Sequence, residues 1–292
     1  NNIQKRLNDQ NKYLSPGISI DLKTVMIEKV IYIGGVARSG TSWIGQIFNS
    51  SPNIKFRFQP LFSYEFRGQI NENSDSSEYQ KFYEELYASD TEFLTQKDKV
   101  ITGVYPEFNK TTESILVFKE NKFQSFIEPM LRKSENLNFI GIIRNPNATL
   151  HSWSQNKKEF PEGSVLENEW RFANCKNNGN EDYFGYYKWK EVANLYLDLE
   201  EKYSSRVHII HYDKFLENTE EQVKELFLKI NIPFTKQTED FLSNSKKGND
   251  SNYYSVYKGK TDRNKWKTDF PFSISKEIQA ELTGTRLEKF LY

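Results

Sequence analysis

The stretch "GGVARSGTSW", Gly34 to Trp43, decides how the rest of the chain is read. Phosphate-binding loops follow the pattern G-x-x-x-x-G-K-[ST]. Backbone N–H groups in the loop cradle the phosphates, and the lysine reaches the outermost ones. Here Gly35, Gly40 and Ser42 fall on the required positions, and Thr41 stands where the lysine belongs. The stretch therefore reads as a phosphate cradle without the group that handles a γ-phosphate.

Its flanks supply the right context. Upstream, "KVIYIGGV" (29–36) is a short apolar, β-branched run, the signature of a buried strand. Downstream, Trp43, Ile44, Ile47 and Phe48 fall on one face of a helix that starts at Thr41 and must stop near Pro52. A glycine turn feeding a helix N-terminus offers free N–H groups and the positive end of the helix dipole, both suited to an anion. Ser39, Thr41 and Ser42 add hydroxyls, and Arg38 adds a permanent charge.

Three further runs read as buried strands: "SILVFK" (114–119), "NFIGIIR" (138–144) and "RVHIIHY" (206–212). Helical patterns lie between and after them. The clearest is "TEEQVKELFLKI" (219–230), with Val223, Leu226, Phe227 and Ile230 on one stripe and acids in the first turn. Apolar strands alternating with helices predict an α/β fold: a P-loop-type central parallel β-sheet flanked by helices on both faces. Residues 1–28 read as a polar N-terminal arm and 29–292 as a single domain. "NENSDSSEYQ" (71–80) and "NSKKGNDSN" (244–252) read as polar loops.

Composition bounds the function. Lys plus Arg and Asp plus Glu balance at 40 each, which argues against a nucleic-acid partner or an anionic membrane surface but leaves room for a local basic pocket. Twenty-two Phe and 17 Tyr predict a strongly aromatic core. The single Cys175 excludes an internal disulfide and fits a reducing compartment. No apolar run reaches the length of a membrane span. No Cys/His cluster has metal-ligand spacing, so no metal site is expected.

A second motif lies in "FIGIIRNPNATLHSW" (139–153). It places Arg144 at the C-terminal end of a strand, a turn at Asn145-Pro146, and then a helix carrying Ser152. The C-terminal edge of an open α/β sheet is where such folds bind ligands. Arg144 and Ser152, eight residues and about two helical turns apart, can jointly grip a second phosphate. The plainer reading of Arg144 is a surface ion pair.

Together, "ARSGTSWIGQIF" and "IIRNPNATLHSW" resemble the two donor-binding motifs of the sulfotransferases that use 3′-phosphoadenosine 5′-phosphosulfate (PAPS). The resemblance implies that Arg38, Ser39, Gly40, Thr41 and Ser42 hold the 5′-phosphosulfate. Trp43 would lie against adenine, and Arg144 and Ser152 would hold the 3′-phosphate. It also implies PAPS as co-substrate, 3′,5′-ADP as product and no metal. "HIIHYDKFLEN" (208–218) resembles a family strand that would make Tyr212 an adenine contact. "YKGKTDRNKWKTDF" (257–270) resembles a late segment returning to the 3′-phosphate, with Lys258 and Gly259 matching. Tyr257 and Arg263 depart from the family pattern there, and the acid before Trp266 is displaced to Asp262, so that match is partial.

For catalysis, the family's first-motif lysine is Arg38 here, as in Golgi carbohydrate enzymes. Arginine can stabilise a leaving oxygen but cannot serve as a base. The end of the strand preceding the second motif reads "VFKEN", without the histidine of the cytosolic branch. Glu120 is therefore the expected base, with Lys119 on the sulfuryl oxygens and His151 as the fallback base. Each also has a plainer reading: Glu120 as an exposed strand-end acid, Lys119 as a side chain snorkelling to solvent. His208 and His211 read as packed residues.

"FNSSPNIKFRFQPLF" (48–62) resembles Golgi-type carbohydrate sulfotransferases, which implies a sugar hydroxyl as acceptor; Arg57, Tyr64 and Arg67 are candidate contacts to acceptor or donor. Aromatic side chains in such a stretch also serve as core. The aromatic stretch 168–192 can line a sugar site or form the helix before the Tyr212 strand. Zero net charge gives no support to a heavily anionic glycosaminoglycan acceptor. Two other readings stay open: the same donor chemistry on a small alcohol, phenol or carrier-bound natural product, and a degenerate P-loop nucleotide-binding protein. The expected compartment is the cytoplasm, or the Golgi lumen for a catalytic domain released from its anchor.

Overall fold

The computed structural model describes residues 26–179, 182, 184–247, 256–257 and 264–292. Five strands form one sheet: β1 (Lys29–Gly35), β2 (Ile54–Phe58), β3 (Ile115–Glu120), β4 (Leu137–Ile143) and β5 (Val207–His211). The longer helices are α1 (Thr41–Asn49), α2 (Ser76–Ala88), α3 (Ile127–Lys133), α4 (Pro146–Ser154), α5 (Gly185–Lys202), α6 (Thr219–Lys229), α7 (Lys236–Ser245) and α8 (Phe272–Leu282). The strand order is β2-β3-β1-β4-β5, and every pairing is parallel. This is the expected α/β architecture.

Alternation along the strands feeds two cores. Val30 and Tyr32 of β1, with Leu116 and Phe118 of β3, face a layer containing Tyr79, Phe82, Met130, Tyr196 and Ile278. Ile31, Ile33, Ile115 and Val117 face the other way, onto Ile44, Ile47 and Phe48 of α1 and onto Val223 and Phe241. A sheet buried on both faces explains why its strands read as continuous apolar runs. Among the described residues, no helix is long and apolar enough to cross a membrane.

The topology fixes where a ligand sits. β1 and β4 are neighbours at the sheet's centre, but their outgoing connections leave in opposite directions, toward β2 and toward β5. Open α/β sheets bind ligands in the crevice at that switch point, beyond the strands' C-terminal ends. The glycine loop and Arg144 are the residues that emerge there.

Several boundaries differ from the sequence reading. β2 lies inside 48–62, where no strand was expected; its apolar and charged residues alternate, unlike the continuous apolar runs that mark the other four strands. Stretch 71–80, expected as a loop, contains the start of α2. Asp75 caps that helix by accepting from the N–H groups of Ser77 and Glu78, while Glu78 accepts from the N–H of Asp75. α7 runs to Ser245, into the other expected loop. Residues 1–25 of the expected arm lie outside the described residues, and Glu28 already bonds to the carbonyl of Ser114 at the start of the sheet.

Candidate active site

The loop after β1 is built to approach a ligand with its backbone. Arg38 takes a left-handed conformation at φ 72°, and Gly40 follows at φ 92°. A Cβ on Gly40 would lie 2.2 Å from Cε2 of Tyr212, and one on Gly35 would lie 2.5 Å from Oγ of Ser39. Only glycine fits at either position. The N–H groups of Trp43 and Ile44 donate to the carbonyl of Gly40. Those of Thr41 and Ser42, in the first turn of α1, have no partner within the helix and face the crevice.

Side chains divide the remaining work. The Ser39 hydroxyl, expected on the ligand, is fully buried and donates to the Val36 carbonyl at 2.6 Å, so it shapes the loop instead. The Thr41 hydroxyl donates to Oδ1 of Asn121 at 2.8 Å, tying α1 to the end of β3. Trp43 donates through Nε1 to the Ser245 hydroxyl at 3.2 Å and packs edge-on to Tyr212, ring centroids 6.3 Å apart.

Across the crevice, Nη1 of Arg144 donates to the Arg38 carbonyl at 2.9 Å, and its guanidinium carbon lies 5.4 Å from the centre of the Tyr212 ring. Nε of Arg38 donates to the Ser152 hydroxyl at 3.2 Å. Nε of Arg144 is buried with no partner among the described residues. A buried, unpartnered cationic N–H is costly unless something fills it, so this corner is shaped for an anion. Asn145 caps α4 by accepting from the N–H groups of Asn147 and Ala148, and Pro146 occupies its first turn, which fixes where Ser152 points.

These groups wall a cavity of about 970 Å³, with Lys119 on it as well. The Lys119 ammonium is buried, 4.5 Å from the centre of the Phe58 ring and 3.4 Å from Oδ1 of Asn121. Burial drives its pKa down to about 7, with Glu120 opposing the shift and Lys99 adding to it. Glu120 is the next residue of β3 and projects to the opposite face of the sheet. Its carboxylate accepts from the N–H of Leu61 at 2.7 Å, and burial pushes its pKa up to about 8. Glu120 is not among the residues that line the cavity, whereas Lys119 is.

His151 does line the cavity, and burial lowers its pKa, with Asp269 opposing the shift and Lys265 and Arg144 adding to it. Those neighbours put it on the Arg144 side. His208 is buried with both ring nitrogens unpartnered, and desolvation lowers its pKa to about 4; His211 packs edge-on to Phe290. Among the described residues, no group of three or more His, Cys, Asp or Glu is placed to hold a metal ion.

The sulfotransferase domain family matches residues 28–289. The chain belongs to that family. This sulfotransferase has no match among curated proteins at the sequence level. Its fold is similar to mouse sulfotransferase SULT7A1 complexed with PAP, with TM-score 0.51 and 14% identity over 90% of this chain and 88% of that one. Retinol dehydratase in complex with retinol and PAP gives TM-score 0.51 and 11% identity over 90% and 83% of the two chains. The sulfotransferase domain of the Synechococcus PCC 7002 olefin synthase gives 0.50 and 10% over 85% and 90%. Family membership displaces the reading as a degenerate nucleotide-binding protein.

The three expected acceptor contacts lie elsewhere in this sulfotransferase. Arg57 is buried, and its guanidinium donates to the carbonyls of Phe56, Leu86 and Tyr87 and to Asp90, so it pins the end of α2. Tyr64 is 96% exposed and Arg67 stacks near it on the surface, both off the cavity wall. Of the aromatic stretch 168–192, Trp170 and Tyr186 are core, while Phe184 and Trp189 reach the cavity. Lys258 and Gly259 lie outside the described residues, although Val256 and Trp266 on either side of them line the cavity.

Sequence reasoning missed Asn121, Trp189 and Glu159. Asn121 holds Thr41 and Lys119 together, and Trp189 donates to the Arg144 carbonyl at 2.8 Å. Glu159 lines the cavity, its charge acts on Lys119 and Lys176, and its Oε2 is buried without a partner among the described residues. It lies in a polar segment after α4 that carries no motif, so no pattern in the sequence singles it out.

Proposed function

We propose that this sulfotransferase moves a sulfuryl group from PAPS to a hydroxyl, with a carbohydrate as acceptor. The observation that carries the donor is the pairing of a lysine-free phosphate loop with Arg144, whose buried Nε is unpartnered, on the adjacent strand end. A nucleotide phosphorylated at both its 5′ and 3′ positions satisfies both features at once. When bound, PAPS supplies an activated sulfuryl group on a phosphate leaving oxygen.

The chain's residues then take defined parts. The N–H groups of Thr41 and Ser42 at the α1 N-terminus hold the 5′-phosphate, and Arg144 and Ser152 hold the 3′-phosphate. Lys258 and Gly259 belong with the latter pair. Trp43 and Tyr212 flank the adenine. Arg38 and Lys119 neutralise charge that grows on the leaving and sulfuryl oxygens, the work metal ions perform in phosphoryl transfer. The acceptor's proton passes to Glu159, the carboxylate on the cavity wall beside Lys119.

Resemblance of 48–62 to Golgi-type enzymes supports a sugar acceptor, as do the rings of Phe58, Phe62 and Phe184 along the cavity. The same rings suit a phenol or a small alcohol, which is the second reading. The deciding experiment is release of 3′,5′-ADP from PAPS in EDTA, with pooled oligosaccharides in one arm and pooled small alcohols and phenols in the other. Release with sugars supports the first reading. Release only with the small acceptors replaces it with the second.

A further inference from the structure

The backbone is strained where β2 ends. Gln59 takes a left-handed conformation at φ 43° and ψ 57°, and Pro60 follows it. Left-handed backbone is unfavourable for a residue with a Cβ, and the residue before a proline is pushed toward extended backbone. Strain of this kind persists only where the surroundings hold it in place, and it gathers at ligand sites. Here the turn is held twice. The N–H of Gln59 donates to the Lys119 carbonyl at 2.9 Å, and the N–H of Leu61 donates to the Glu120 carboxylate at 2.7 Å. The last two residues of β3 pin it.

This conformation decides what reaches the cavity. Pro60 and Leu61 are buried, while Phe58, Gln59 and Phe62 line the cavity wall. Gln59 is half-buried, and its side-chain amide makes no hydrogen bond among the described residues. Cations of the same wall are already engaged. Lys99 donates to Gln96, Lys122 pairs with Asp182 at 2.6 Å, and Lys119 donates to Asn121 at 3.4 Å. A turn that served packing alone would hold a glycine at no steric cost. A glutamine there instead presents a donor and an acceptor without a net charge. Ligand pockets combine apolar rings with a few placed polar groups that fix orientation, and Gln59 stands on the wall with the rings of Phe58 and Phe62.

We propose that Gln59 is a specificity-determining residue, whose amide hydrogen-bonds the ring hydroxyls of a neutral sugar acceptor beside Lys119. This rests on the reading of the cavity as that of a PAPS-dependent sulfotransferase. It goes further by naming the group that selects a sugar over a small alcohol, which carries a reacting hydroxyl but no partners for the amide.

The test measures 3′,5′-ADP release from PAPS with four acceptors: methyl β-glucoside, methyl β-galactoside, methyl N-acetyl-β-glucosaminide and cyclohexylmethanol. The last presents a primary hydroxyl on a six-membered ring without ring hydroxyls. The wild type should favour at least one glycoside over cyclohexylmethanol by about tenfold or more in kcat/KM, the scale of a hydrogen bond that the poorer substrate leaves unmade. Gln59→Met keeps the length of the side chain without its amide, and it should bring that glycoside level with cyclohexylmethanol, chiefly through KM. Gln59→Gly should lose the same preference yet melt about 2–4 °C higher, because glycine relieves the left-handed turn. Binding of 3′,5′-ADP reports that each variant is folded. A wild type that binds 3′,5′-ADP but favours no glycoside, or a preference that survives in Gln59→Met, would overturn the proposal. So would a Gln59→Gly protein that melts below the wild type, since the turn would then serve packing. Failure of the wild type to bind 3′,5′-ADP would instead remove the donor reading, and this one with it.

Discussion

Adjacent residues of β3 point to opposite faces of the sheet, which puts Lys119 on the cavity and Glu120 behind it. Glu120 accepts from Leu61 behind the strand, whereas Glu159 stands on the cavity wall. A positioned base contributes about 10²–10⁴-fold to the rate, so Glu159→Gln should lower kcat by that range with donor affinity unchanged. Glu120→Gln should keep most of its turnover and alter stability instead. Steady-state kinetics on both variants decide between them, and a dead Glu120→Gln enzyme beside an active Glu159→Gln enzyme would reverse the assignment. Lys119 carries a second prediction. With its pKa near 7 it is largely neutral at pH 8, and a neighbouring anion favours its protonated form. Binding of 3′,5′-ADP at pH 8 should therefore take up a proton, and affinity should fall as pH rises above about 7. Calorimetry in two buffers of different ionisation enthalpy measures the uptake, which Lys119→Met should abolish. For folding, the sign is opposite. The unfolded lysine binds its proton up to its ordinary range near 10.5, so this group's cost is full below pH 7 and is relieved as pH rises toward that range.

At the scale of elements, the site depends on where α1 and α4 begin. Gly40 starts α1 without a side-chain cap, so its first N–H groups stay available. α4 starts the other way, with Asn145 Oδ1 accepting from Asn147 at 2.9 Å, Nδ2 donating to the Leu291 carbonyl at 2.8 Å, and its own N–H donating to Asp213 at 2.7 Å. One helix end is left open for a ligand and the other is closed to hold a hydroxyl in place. Asn145→Ala should cost about 1–2 kcal/mol of stability in urea melts and weaken 3′,5′-ADP binding through a less fixed Ser152. An unchanged midpoint would mean that Pro146 and packing set the helix without the cap. Both helices were legible in the sequence because glycine and Asn-Pro punctuate them. β2 was not, since its charged Arg57 finds its partners in the carbonyls at the far end of α2, which no local pattern reveals.

Across the whole molecule, the crevice gathers strand-end residues from both halves of the chain, the loop after β1 and the turn after β4. Its strand-end motifs could be read from sequence because each combines a buried apolar run with a turn. The cavity wall could not, because Asn121, Glu159 and the lysines gain their meaning only when distant segments converge. A ligand that contacts both Gly40–Ser42 and Arg144–Ser152 ties those segments together and stabilises the folded state by mass action. At 100 times its dissociation constant, 3′,5′-ADP should contribute about 2.7 kcal/mol, or roughly 5–10 °C in Tm for a domain of this size. The shift should be the same with and without EDTA, because the chain's own arginines and lysine supply the positive charge. AMP, which lacks the 3′-phosphate, should give a distinctly smaller shift at equal concentration. Arg144→Ala should bring the two nucleotides level, since the buried Nε of that residue is the unpartnered cationic N–H in the corner where β1 and β4 meet. Differential scanning fluorimetry resolves all four conditions. A persisting advantage of 3′,5′-ADP over AMP in the variant would place the 3′-phosphate away from β4 and undo the assignment of the second motif.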